Sequence, residues 1–293
     1  MNAGPSTTAA VVASTLLLLE DDPALAPLAF PEATPSVEAA VRHALPIVGR
    51  LLDTIPWPVL ERAAHVAERL VSPGFVAHYA LRKFAIRRAL ARETAAGCGQ
   101  VVLVGAGFDM MAESLPAAAT IVEVDHPATQ RLRREAASSR AVTFVPLDLA
   151  TGDLAAALDA TAALDPAAAT TFVAEGLLMY LARDRVEAIL SALARGPGAR
   201  TVILSIVTPD RAGKVRIHTQ RRVVDWIMRW IDEPFVWGES ATELVRTLEQ
   251  HGFAVEELVT TMALRDELIA PDARRCLPRS PGEIVVVAKK RAA

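Results

Sequence analysis

From Gln100 onward the chain is punctuated by seven short runs of β-branched and apolar residues: VVLV (101–104), TIVEV (120–124), VTFV (142–145), TTFVA (170–174), TVILSIV (201–207), FAVEELVT (253–260) and EIVVVAKK (283–290). Most of them leave no polar face for water, and helix-compatible segments such as PATQRLRREAASS, RDRVEAILSALARG and SATELVRTLEQHG separate them. Apolar strands alternating with helices require a mostly parallel sheet covered on both sides, an α/β fold. Little helix-like sequence lies between the last two runs, so one of them is expected to run antiparallel.

The first 98 residues have a different texture. SVEAAVRHALPIVGRLLDTI, PVLERAAHVAERLV and FVAHYALRKFAIRRALARETAAG carry apolar residues at spacings of three and four, with prolines between them, which predicts helices. The expected organisation is a helical extension or cap over residues 1–98 and an α/β domain over 99–293, with a helical insertion at about 209–240 that would sit as a lid over the sheet's carboxyl edge. The apolar run Ala9 to Leu19 is too short to span a bilayer and no basic residue precedes it, so it reads as a buried helix of a cytoplasmic protein, capped by Ser6, Thr7 or Thr8. No membrane partner is expected. A net charge of −3 gives no electrostatic footprint for nucleic acid. Cys98 and Cys276 match neither a disulfide framework nor a metal spacing. In the insertion, Trp226, Trp230, Phe235 and Trp237 crowd a chain that is only 5% aromatic. Two of them are expected in the core and one or two in an acceptor pocket, with a homodimer contact as the alternative; Arg221, Arg222 and Arg229 read as solvated surface.

In an open parallel sheet, ligands bind beyond the carboxyl ends of the strands, and the first strand-to-helix turn approaches them most closely. Gly105 and Gly107 fall in that turn, where a side chain would obstruct a ligand lying against the backbone. Asp125 ends the next run, where a carboxylate accepts hydrogen bonds from ribose hydroxyls. The pair suggests a nucleoside cofactor. A dinucleotide fingerprint asks for a third glycine and a helix start for its pyrophosphate, but that position is Met110 and Pro116 follows closely. S-adenosylmethionine, a nucleoside without phosphate, fits better. Asp148 after the third run could accept from an adenine amino group, with Leu149 or Leu147 against the ring, or could cap a helix. Glu175 emerges from the fourth run and needs a cationic partner: the cofactor's ammonium group or a basic residue of the helical region.

The segments QVVLVGAGFD, IVEVDHPATQRLRRE, VPLDL and above all AEGLLMYL resemble the leucine carboxyl methyltransferase family, including its bacterial polyketide-type O-methyltransferases, over roughly residues 75–260. The resemblance implies the class I methyltransferase fold, with a seven-stranded sheet, and S-adenosylmethionine as cofactor. It implies that Gly105, Gly107 and Asp109 line the methionyl and ribose side, Asp125 holds the ribose, Asp148 and Leu149 hold adenine, and Glu175 contacts the methionyl end. Tyr180 would face the acceptor and Arg82 would pair with the cofactor's carboxylate. Where the family has GAGLDTR this chain has GAGFDMM, placing Met110 and Met111 at the Thr and Arg positions, and the family's amino-terminal Arg pattern is missing.

The function this implies is O-methylation of a carboxylate or hydroxyl on a small-molecule or carrier-borne natural product. A carboxylate acceptor needs no general base. For a hydroxyl, histidine is the natural base, and His126 and His78 are the ones placed near the site. The rival readings are an NAD-dependent oxidoreductase and a noncatalytic cofactor-binding partner protein.

Overall fold

The computed structural model describes residues 6–108, 110–136, 141–217, 219–277 and 279–291, with backbone alone at 275 and 276. Among the described residues five α-helices precede the sheet: α1 (Thr7–Ser14), α2 (Thr34–Ala44), α3 (Pro46–Thr54), α4 (Trp57–Val71) and α5 (Phe75–Ala95). Ser6 caps α1 by accepting from the amide of Ala9. Then β1 (Gln100–Val104), β2 (Thr120–Asp125), α6 (Pro127–Glu135), β3 (Thr143–Pro146), α7 (Leu154–Asp159), β4 (Thr170–Ala174), α8 (Arg183–Leu193) and β5 (Arg200–Val207) alternate. The chain closes with α9 (Arg222–Trp230), α10 (Ala241–Gln250), β6 (Ala254–Thr260), α11 (Thr261–Leu268), α12 (Pro271–Cys276) and β7 (Glu283–Lys290). Every strand falls where a β-branched run stands in the sequence.

The sheet order is β3-β2-β1-β4-β5-β7-β6. Strands β1 to β5 pair in parallel, and β7 inserts antiparallel between β5 and β6. The reversed strand was expected; the two short helices α11 and α12 between β6 and β7 were not, because charged residues interrupt their apolar spacing in TMALRDEL and PDARRC. The chain order reverses at β1 and β4, which makes their carboxyl ends the switch point where an α/β sheet binds its ligand.

Alternation along the strands divides the core into two layers. Val101 and Leu103 of β1 pack with α1, α2 and α5 on one face, while Val102 and Val104 pack with α8 and α10 on the other. Inside the first layer α5 is buried on most of its circumference, including His78, Arg82 and Lys83. The alanine-rich tract before β4 forms α7 and a connection, as its composition suggests. Cys98 is a free, half-buried thiol.

A buried charge pair ties α6 to the sheet. Arg133 Nη2 donates to Glu123 Oε1 on β2 at 2.9 Å, with both side chains only 2% exposed. Removing one partner leaves the other charge in an apolar layer, so Glu123→Ala should lower the unfolding free energy by about 3 to 5 kcal/mol. Urea denaturation measures this; a loss below about 1 kcal/mol, the range of surface pairs, would show that the pair does not hold α6.

Candidate active site

The turn after β1 has the geometry its glycines permit. Gly105 and Gly107 have φ of 70° and 58°, in the left-handed region. A Cβ on Gly105 would come within 2.9 Å of the Leu177 side chain, so close packing, as well as the turn, demands glycine there. Met110 also has a positive φ, of 55°, and the turn continues into a single 3-10 turn, Met111–Ser114, and not into an α-helix. Among the described residues no α-helix N-terminus, which a pyrophosphate would need, therefore points at the site from this loop.

Asp125 braces the turn from β2. Its Oδ2 accepts from the amide of Gly107 and its Oδ1 from the amide of His126, both at 2.6 Å. The carboxylate thus lies beside the glycine turn, at the edge of a cavity of about 750 Å³. The cavity runs from Gly105, Gly107, Asp125 and Glu175 to an apolar end walled by α1, α4, the start of α5 and α9, including Val12, Phe75, Val224 and Met228. Arg82, His78, His126 and Tyr180 also line it.

The floor is a buried charge network between α5 and the sheet. Arg82 Nε donates to Glu175 Oε1 at 2.9 Å, and Lys83 Nζ donates to Glu175 Oε2 at 2.6 Å. Arg82 Nη1 forks onto Glu283 at 2.9 and 3.0 Å, and His78 Nε2 lies 2.6 Å from the same carboxylate. His78 Nδ1 faces the Ser280 carbonyl at 2.8 Å. The guanidinium of Arg82 stacks on Tyr79, 4.4 Å from the ring centroid. Among the described residues its Nη2 makes no hydrogen bond and lies against Gly176 at the cavity wall, where a Cβ would come within 3.4 Å of it.

Glu175, expected to face either the cofactor's ammonium group or a basic residue of the helical region, pairs with Arg82 and Lys83 and also lines the cavity. Arg82, expected to pair with a ligand carboxylate, spends Nε and Nη1 within the protein and lies at the cavity wall with Nη2. Asp148 and Leu149 do not line the cavity: Leu149 is buried in the second core layer, and Asp148 accepts from the amide of Ala150 at 2.9 Å. Asp148 is not a helix cap either, since Asp153 caps α7. Asp109 lies outside the described residues. Lys83 and Glu283 were missed. Glu283 had the same signal as Glu175, a carboxylate beside a wholly apolar run, whereas Lys83 was hidden among neighbouring basic residues.

His126 caps α6: its Nδ1 accepts from the amide of Ala128 at 3.2 Å. Tyr180 meets Phe235 edge-on, with ring centroids 5.2 Å apart. Burial, reinforced by the charge of Glu233, pushes its phenol well above the ordinary value, so it remains a donor at neutral pH. Of the insertion's other aromatics, Trp237 is in the core, while Trp226 and Trp230 are 60% and 76% exposed, against the expectation that the group would be divided between core and pocket.

A seven-stranded sheet with β7 reversed, and a glycine turn braced by an aspartate on β2, define the class I methyltransferase fold, whose cofactor is S-adenosylmethionine. The family model for leucine carboxyl methyltransferase matches residues 19–194, and the chain belongs to that family. A Mycolicibacterium smegmatis protein named "Putative S-adenosyl-L-methionine-dependent methyltransferase" is 33% identical over 180 residues, 55% of this chain and 56% of that one. A Streptomyces avermitilis protein of similar name is 31% identical over 192 residues, 61% of this chain and 67% of that one. The chain spans about half the length of the first of these relatives. A crystal structure of a duf574 family protein from Streptomyces avermitilis shares the fold, with a TM-score of 0.56, 16% identity and 98% of each chain covered.

The network has a pH signature. Burial pushes the Glu283 carboxyl up, but Arg82 and His78 outweigh it and bring it down from 4.5 to about 2. A depressed pKa in the folded state stabilises the protein above the unfolded value, and that contribution, about 3 kcal/mol, fades as the pH falls from about 4.5 to 2. Urea denaturation across this window should show stability falling more steeply for the wild type than for Glu283→Gln. Parallel curves would mean that Glu283 is not held ionised in the native state.

Proposed function

We propose that the chain transfers the methyl group of S-adenosylmethionine to the carboxylate of a small, otherwise apolar molecule, forming a methyl ester. The observation that carries this reading is the single cavity that joins the glycine turn and Asp125 to an apolar chamber beside Tyr180, within the size range of small-molecule sites, roughly 300 to 1,000 Å³. The residues fit the cofactor. Asp125 lines the cavity beside the turn, where ribose hydroxyls would meet its carboxylate, and the outward Nη2 of Arg82 suits the methionyl carboxylate.

When bound, the cofactor supplies a methyl group activated by a sulfonium. The protein's part is positioning, which is worth roughly 7 to 11 kcal/mol when two reactants are held in line. The apolar walls keep water from the acceptor's carboxylate, whose charge vanishes as the ester forms. Tyr180, held protonated, donates to the acceptor and fixes its orientation. A carboxylate needs no deprotonation, which agrees with His126 using Nδ1 on the α6 cap and with Tyr180 being unable to act as a base at neutral pH. Family membership and the absence of an α-helix start after β1 weigh against a dehydrogenase. The natural-product character of the acceptor belongs to this proposal.

Incubation with methyl-labelled S-adenosylmethionine and a panel of apolar monocarboxylates and phenols tests it. Label should appear on a carboxylate and be released by mild alkali, and Tyr180→Phe should lower kcat roughly tenfold or more while leaving the cofactor's Kd nearly unchanged. Alkali-resistant label on a phenol would overturn the ester reading. Cofactor binding with no transfer to either class would support the noncatalytic alternative.

A further inference from the structure

Among the described residues the outer side of the cavity's roof has no partner. None of the residues of α4 is buried. Its inner side, at Ala64, Ala67 and Val71, lines the cavity, while Val59, Val66 and Leu70 on the outer side are 55%, 57% and 60% exposed. Helix α9 repeats the pattern: Val224 and Met228 face the cavity, while Trp226 and Trp230 stack on each other outside with ring centroids 6.5 Å apart. The two helices meet where the amide of Arg221 donates to the Val71 carbonyl at 3.3 Å. Val11 and Ile227 both line the cavity and are exposed, so its mouth opens beside this face.

The exposed charges of the two helices are of one sign. Arg62 and Arg69 on α4, and Arg221, Arg222 and Arg229 at α9, are exposed and make no salt bridge among the described residues. The acidic residues of the same helices are less exposed and engaged: Glu61 and Glu68 lie near His65, and Asp225 accepts from Gln220 and Arg216. Exposed tryptophans beside arginines on amphipathic helices are the composition of a surface that lies in the headgroup layer of a membrane.

We propose that the outer face of α4 and α9 docks on an anionic phospholipid bilayer, bringing the cavity mouth to the lipid from which an apolar acceptor can enter. The docking is peripheral, since no helix among the described residues is long and apolar enough to cross a membrane. It departs from the sequence expectation of no membrane partner, which considered only a span. A second copy of the chain is the poorer occupant: a two-fold contact sets the same patch against itself and would bring the arginines of both copies together. The proposal does not depend on which acceptor is methylated.

Cosedimentation with vesicles tests it, using phosphatidylglycerol mixed with phosphatidylcholine and phosphatidylcholine alone. The wild type should bind the anionic vesicles and not the neutral ones, and release in about 0.5 M salt. The double variants Trp226→Ser with Trp230→Ser and Arg222→Gln with Arg229→Gln should each bind roughly fivefold or more weakly, with unchanged circular dichroism and S-adenosylmethionine affinity. Failure to bind anionic vesicles, equal binding to neutral ones, or full binding by both variants would overturn it. So would a wild-type dimer in sedimentation velocity that the tryptophan variant dissolves.

Discussion

The contact between α5 and the ends of β4 and β7 is the interaction on which the rest of the site depends. Two cations, Arg82 and Lys83, and two carboxylates, Glu175 and Glu283, are buried there together, with His78 hydrogen-bonded to the second carboxylate. Burying any one of these charges alone would be prohibitive, and even the matched set needs good geometry to offset its desolvation. The fork of Arg82 onto Glu283 and the short contacts to Glu175 supply that geometry. In exchange, the helical cap is joined to the α/β domain at one register. A slip of α5 would strand charges inside the core.

That registry builds the cavity. With α5 fixed, Tyr79 backs the Arg82 guanidinium and Phe75 reaches the apolar chamber. Helix α1 lies across the glycine turn, with Ala9 3.4 Å from where a Gly107 side chain would start. The amide of Thr8 donates to Glu233 of the insertion at 3.0 Å, so the amino-terminal cap and the insertion after β5 close over the same space. One end of the cavity is consequently polar and set by the sheet, and the other is apolar and set by helices from distant parts of the chain.

The sheet was legible in the sequence because a strand buried on both faces must be apolar throughout, and such runs stand out from the helices between them. The glycine turn and Asp125 were legible because their chemistry is local: the turn, the brace and the strand ends lie within a few residues. The charge network was legible only in half. A carboxylate beside TTFVA announces that it needs a cation, but nothing in the sequence decides between a ligand and a lysine from another helix, and the structure shows the lysine and an arginine. The same ambiguity surrounds Asp148 and Leu149, whose spacing suits a ligand while Asp148 also accepts from its local loop and Leu149 packs in the second core layer. The aromatics of the insertion were legible as a group and not individually, because Trp237, Phe235 and the exposed pair differ only in how the insertion docks.

On this account Arg82 Nη2, which makes no hydrogen bond among the described residues, is the donor left for the cofactor's carboxylate. The most direct measurement is calorimetric titration of the wild-type protein with S-adenosylmethionine and with its decarboxylated analogue. Tenfold or greater loss of affinity on removing the carboxylate, about 1.4 kcal/mol, is the predicted result. Equal affinity for the two would show that Arg82 does not face the cofactor and that the network serves the fold alone.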